Sequence, residues 1–214
     1  MTDAVLVGQG MNKAWEMFYQ AGAIVWSGKP EEGYRLMHEG LELALALGDL
    51  WSVGTVSIVL ATRARADHHL DEAERLARLG LNAFEALHNR FGIADACVHL
   101  GSTLVYQGRE AEAKAYLHRS IKTSYDMGVI RTTLTILLTC VENYFVQVNK
   151  PFAVELLAMI VNNPDCDNVI AGWTEKTVVL LKGALPTAVY ATAWKRGEQQ
   201  SFNQAIDLVL TQLS

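Results

Sequence analysis

Cysteine is scarce in this chain: three in 214 residues, with Cys97, Cys140 and Cys166 sharing no Cys-x-x-Cys spacing. An odd, scattered set suits neither a disulfide framework nor a zinc site, so the expected compartment is the reducing cytoplasm. Cations are in short supply too, 18 Lys and Arg against 23 Asp and Glu, giving a formal charge of −5. Gripping phosphates takes clustered Lys and Arg, so no direct contact with nucleic acid is expected, and a basic or amphipathic partner is favoured over an acidic one. No apolar run approaches the roughly 18 residues that span a bilayer, and Asp3 stands where a basic leader segment would be, so no membrane role is expected. Catalytic signatures are missing as well: there is no Gly-x-x-x-x-Gly-Lys-Ser/Thr loop, no His-Glu-x-x-His and no Gly-x-Ser-x-Gly. His68-His69 beside Asp67 lack the three or four converging ligands a metal needs, so neither metal nor cofactor is expected. Asp95, His99 and Glu142 are the only candidates for acid–base work, too few to argue for an enzyme.

What the chain does have is a repeat. Leu36, Gly40, Leu41 and Leu47 return forty positions on as Leu76, Gly80, Leu81 and Leu87, and again as Tyr116, Ser120, Ile121 and Met127, with Gly33, Ala73, Ala113 and Ala153 in step ahead of them. Self-similarity at a fixed period of this length marks a solenoid, in which each unit buries its apolar face against its neighbours. Each unit reads as two helices. Pro30-Glu31-Glu32 opens a second helix with proline and acids in its first turn, and Gly48-Asp49 closes it. The same grammar recurs at Leu70-Asp71-Glu72 and Arg109-Glu110-Ala111, with Gly128 as a third stop. First helices are expected over 12–27, 50–67, 90–107 and 129–148. His38, His88 and His118 fall on second helices as surface or partly covered residues. Short turns oblige the pairs to pack antiparallel, which makes Ala73, Ala113 and Ala153 close-approach positions.

The run Leu100-Gly101-Ser102-Thr103-Leu104-Val105-Tyr106-Gln107-Gly108 followed by Ala113, and Ala73-Glu74-Arg75-Leu76 leading to Gly80, resemble the tetratricopeptide repeat. Its pattern sets Leu-Gly, then an aromatic or Leu, then Gly at the turn and Ala in the second helix. The forty-residue period, longer than the usual 34 or so, and helices ending in Leu47-Gly48-Asp49 are similar to the variant in bacterial signal-transducing ATPases and related transcription activators. The stretch from Ala193-Trp194-Lys195-Arg196-Gly197 to Ser201 and Ala205 looks like the ending of those regulators. Gln20 stands where the repeat wants Leu, and Val141 and Val148 replace two glycines, so the fit is weakest in the first and fourth units. Ala4-Val5-Leu6-Val7-Gly8 parallels Ala44-Leu45-Ala46-Leu47-Gly48: either the first residues end a second helix of a longer array, or they form a capping helix with a fortuitous glycine.

The expected fold is therefore an all-α superhelix of about four such hairpins over residues 1–162, followed by a helical cap over 163–214. Pro164 and its polar neighbours end the array, and Cys166 sits there with two Asp beside it to raise its pKa. The cap reads as three short helices, one beginning at Pro186 and ending at Gly197, the last opened by a Ser201–Gln204 capping box. The resemblance implies a concave wall built from positions two, five, nine, twelve and thirteen of each first helix. Carried onto this chain, these are Trp15, Phe18, Gly22, Val25 and Trp26; Thr55, Ile58, Thr62, Arg65 and Ala66; Asp95, Val98, Ser102, Val105 and Tyr106; Thr135, Leu138, Glu142, Phe145 and Val146. The expected contact residues are Trp15, Thr62, Arg65, Asp95, His99, Ser102, Tyr106 and Glu142, with Arg65 as the cation offered to a ligand. The expected function is non-catalytic capture of a peptide or helix. The alternative is a small-molecule sensor module of a larger bacterial regulator.

Overall fold

The computed structural model describes residues 3–214, with side chains from Lys13 onward. Helices take 85% of the chain and no strand occurs among the described residues, so the packing to be explained is helix on helix. The second helices are α2 (Pro30–Leu47), α4 (Leu70–Ala86), α6 (Glu110–Tyr125) and α9 (Lys150–Asn162); before them come the first helices α1 (Asp3–Trp26), α3 (Leu50–Ala66), α5 (Arg90–Tyr106) and α7 (Ile130–Cys140). Their punctuation follows a twenty-residue beat. Gly28, Gly48, Gly108 and Gly128 have left-handed φ between 67° and 86°, and His68 and His88 take the same conformation at 62° and 50°. A left-handed residue ends a helix by turning the chain back, and glycine does so without Cβ strain. His88 thus lies in a turn and not on a second helix as its neighbours suggested. Gly8 does not end a helix either: α1 runs unbroken from Asp3 to Trp26.

The chain divides into two compact units, Met1–Thr103 and Leu104–Ser214, so residues 163–214 belong with the repeats that precede them. In the first unit α1 packs on α2, α2 on α3 and α3 on α4. Ala73, Leu76 and Ala77 on α4 are completely buried, as the forty-residue register requires. Gly80 permits the approach of α4 to α3, since a Cβ there would meet Ile58 at 2.9 Å and the Gly54 carbonyl at 3.1 Å. The outward face of α4 is polar, with Arg75 paired to Glu72 and Arg78 to Glu74.

In the second unit Ala113, Leu117 and Ile121 of α6 and Ala153 of α9 are buried in the same register. The fourth first helix departs from it. After α7 the chain makes a π turn (Val141–Phe145) and a last short turn, α8 (Val146–Val148). Val141 is fully buried where the equivalent residues are Ala61 and Gly101, and the widened turn, with its one extra residue, makes room for it. No left-handed residue follows; the Asn149 side chain caps α9 instead. Then come α10 (Asn168–Ala184), α11 (Thr187–Gln199) and α12 (Phe202–Gln212). Helix α10 packs on α9 and α7, α11 lies on α9, and α12 contacts α6 and α9. Pro186 caps α11, and Ser201 with Gln204 forms the expected capping box on α12. Gly197 does not end α11. It sits inside the helix two residues before its end, where any Cβ would collide with the Glu155 carbonyl and Ala158 of α9.

Candidate functional site

The accessible face of the first helices is rotated from the one the repeat pattern implied. Position five is buried in three units, at Ile58, Val98 and Leu138, and position twelve is buried at Arg65 and Phe145. The partly or fully accessible positions are instead two, six, nine and thirteen: Trp15, Tyr19, Gly22 and Trp26 on α1; Thr55, Val59, Thr62 and Ala66 on α3; Asp95, His99 and Tyr106 on α5. One helical residue turns a side chain by about 100°, which is why His99 keeps a small part of its side chain accessible (16%) where Val98 is wholly buried.

Ser102 is completely buried and gives its hydroxyl to the Val98 carbonyl one turn back (2.6 Å), so it lines no groove. Arg65 is only 7% exposed and donates to the His99 carbonyl at 3.3 Å. A cation held between helices in this way is part of the packing; Arg65→Ala therefore lowers stability instead of acting on a ligand alone.

What the first unit brings together is Thr62, Arg65, Asp95 and His99. The Thr62 hydroxyl lies 3.0 Å from its own Ile58 carbonyl and 3.2 Å from Nδ1 of His99, and His99 Nε2 is 3.6 Å from an Asp95 oxygen. Asp95 and His99 are one turn apart on α5, so their side chains stack along one face. Burial pushes the His99 imidazole below its ordinary pKa, and the Arg65 charge adds to this while Asp95 opposes it. The ring is therefore neutral at pH 7. Its two nitrogens face the Thr62 hydroxyl and an Asp95 oxygen, and the tautomer sets which of the two contacts the ring donates to. On α1, Trp15 meets Phe18 and Tyr19 with ring centroids 5.4 and 5.1 Å apart, and Trp26 at the helix end is 92% exposed.

The second unit treats its candidates differently. Tyr106 ends α5 with 43% of its surface exposed. Glu142 sits in the π turn and accepts from the Thr177 hydroxyl of α10 at 2.9 Å. Desolvation raises its pKa above the usual carboxylate value, with the Thr177 hydrogen bond and Lys176 working against the shift. At this register position the fourth first helix is met by α10, so its outward face is not free there.

One cation escaped the sequence reading. Arg63 pairs with Glu31 (3.0 Å) and Asp67 and lies 4.8 Å over the Tyr34 ring, in a cavity of about 380 Å³ also lined by Arg35 and His38. Its i,i+4 spacing to Asp67 was legible; its reach back to α2 was not. With both acids engaged, it clasps α2 to α3. Among the described residues no three His, Cys, Asp or Glu side chains gather as a metal site, and no helix is long and apolar enough to cross a membrane. Cys97 and Cys140 are buried and in no disulfide, and burial more than its Asp neighbour raises the pKa of Cys166. No family model matches this chain, and neither a curated protein nor a solved structure matches it.

Proposed function

We propose that this chain is a non-catalytic protein-interaction module of the tetratricopeptide kind, working in a reducing cytoplasm, and that its first unit holds a partner segment along the accessible faces of α1, α3 and α5. The observation that carries this reading is the outward stripe at positions two, six and nine, where Asp95 offers a partly exposed carboxylate beside Thr62 and His99 while Trp15 and Tyr19 offer aromatic surface. Aromatic anchors beside a few polar groups are what a peptide-binding surface needs, and Asp95 on a chain of charge −5 favours a basic amphipathic segment. The order Thr62, His99, Asp95 is also that of nucleophile, base and orienting acid. A helix interior argues against catalysis there, because the amides around Thr62 are spent on i→i−4 bonds and none remains to stabilise an oxyanion.

The test is selection of basic amphipathic peptides on the purified protein, followed by titration against variants. Asp95→Asn and Trp15→Ala are expected to weaken binding by about 1–3 kcal/mol with an unchanged denaturation midpoint. Unaltered affinity for both variants places the contact elsewhere. A small-molecule sensor module of a larger bacterial regulator is the second reading, favoured by a cleft on α11 lined by Tyr190 and Trp194.

A further inference from the structure

We infer that the cleft beside α11 is a binding site for a small planar aromatic carboxylate, separate from the partner-binding face of the first unit. Tyr190 and Trp194, one turn apart on α11, stack with ring centroids 5.7 Å apart and planes at 18°, forming a continuous aromatic platform. Lys182, from the end of α10, stands with its ammonium 5.7 Å from the Tyr190 ring centre, and Lys195 and Ala191 line the same cleft. The cleft holds about 440 Å³, a size that suits a one- or two-ring ligand.

Charge selects an anion. Neither Lys182 nor Lys195 forms an ion pair with a carboxylate among the described residues; the one acid in the lining, Glu198, accepts the Trp194 indole N–H at 2.9 Å, so the cleft carries two ammonium groups against one carboxylate. The lining is thus positive beside an aromatic face, on a chain whose overall charge is −5. Position in the fold separates this chemistry from packing. Ala193 and Gly197 are buried, Gly197 against α9, and Arg196 pairs with Glu155 of α9, while Trp194 and Lys195 between them turn to the cleft. Stacking fixes the plane of the ligand, and the ammonium groups hold a carboxylate attached to the ring edge.

Isothermal titration of the full chain with 2-naphthoate, 2-naphthamide and cyclohexanecarboxylate tests this. The naphthoate is expected to bind, with the amide weaker by about tenfold for loss of the charge and the saturated acid weaker by at least as much for loss of the stack. Lys182→Met combined with Lys195→Met is expected to erase the preference for naphthoate over naphthamide, and Trp194→Leu to weaken both. Thermal melting checks that each variant is folded, and the ligand series on the unaltered protein stands whether or not they are. No heat with naphthoate at millimolar concentration overturns the assignment. So does equal affinity for acid and amide, or a preference that survives loss of both lysines.

Discussion

Helices α4 and α9 hold the same place in the forty-residue register, yet one is solvated along its outer face and the other is wrapped. On α4, Ala73, Leu76, Ala77, Gly80 and Leu81 point inward while Glu72, Glu74, Arg75 and Arg78 pair along the surface. On α9 every residue from Phe152 to Ile160 is buried, because α11 lies over the side that α4 gives to water. The single acid in that run, Glu155, is held by Arg196 and Gln200 arriving from α11 and its end. A helix that is apolar all round has to be covered on all sides, and the repeat by itself supplies cover on only one. The difference teaches that the C-terminal segment completes the second unit's core instead of standing beyond it.

Removing Asp167–Ser214 attacks the comparison most directly. It is expected to leave α9 with a large apolar face and the protein as an associating or insoluble species by light scattering. A soluble monomer with unchanged melting means α9 does not need its cover.

A smaller effect is expected from Gly197→Ala, which drives a methyl group into the Glu155 carbonyl and Ala158 and should cost about 1–3 kcal/mol. Gly172→Ala is the control. Open space surrounds that position on the exposed side of α10, so the better helix former should be neutral or gain up to about 1 kcal/mol. Equal denaturant midpoints for the two variants refute close contact between α11 and α9.

The first unit holds His99 where the second, forty residues on, holds Thr139. His99 binds its proton less readily folded than unfolded, so the unfolded chain takes up the proton first and stability is lost as pH falls through about 6.5. Melting curves between pH 8 and pH 5 or so should slope more steeply for the wild type than for His99→Asn. Parallel curves show that His99 is not desolvated.

The smallest expected effect concerns the turns. His88 takes a conformation that Gly108 and Gly128 adopt freely, and His88→Gly should gain about 0.5–1 kcal/mol by relieving Cβ strain. A loss in urea midpoint means the imidazole makes a contact worth more than the strain.

Much of the fold was legible in the chain. Helix starts at Pro30, Leu70 and Glu110, and again at Leu50 and Arg90, follow from Pro, acids and turn glycines, which act within a few residues of themselves. The candidate site was legible only in part. Thr62, Asp95 and His99 meet as a set, whereas Ser102 and Arg65 are drawn inside, since one residue of helical rotation decides exposure and the family pattern fixed that rotation only loosely. The π turn had a weak signal in Val141, too large for the place of Ala61 and Gly101.

The sequence by itself determined the helices, their twenty-residue punctuation, the residues that must be buried in α4 and α6, and the need of α9 for a covering layer. Those properties depend on neighbours three, four or twenty positions away. Only the tertiary structure decided that α11 is that layer, that Gly197 is a contact and not a helix stop, that Arg65 is packing and His99 is held between Thr62 and Asp95, and that two lysines without an ion pair stand beside Tyr190 and Trp194. Each of these depends on which distant helix arrives at a given face, and local spacing carries no information about that.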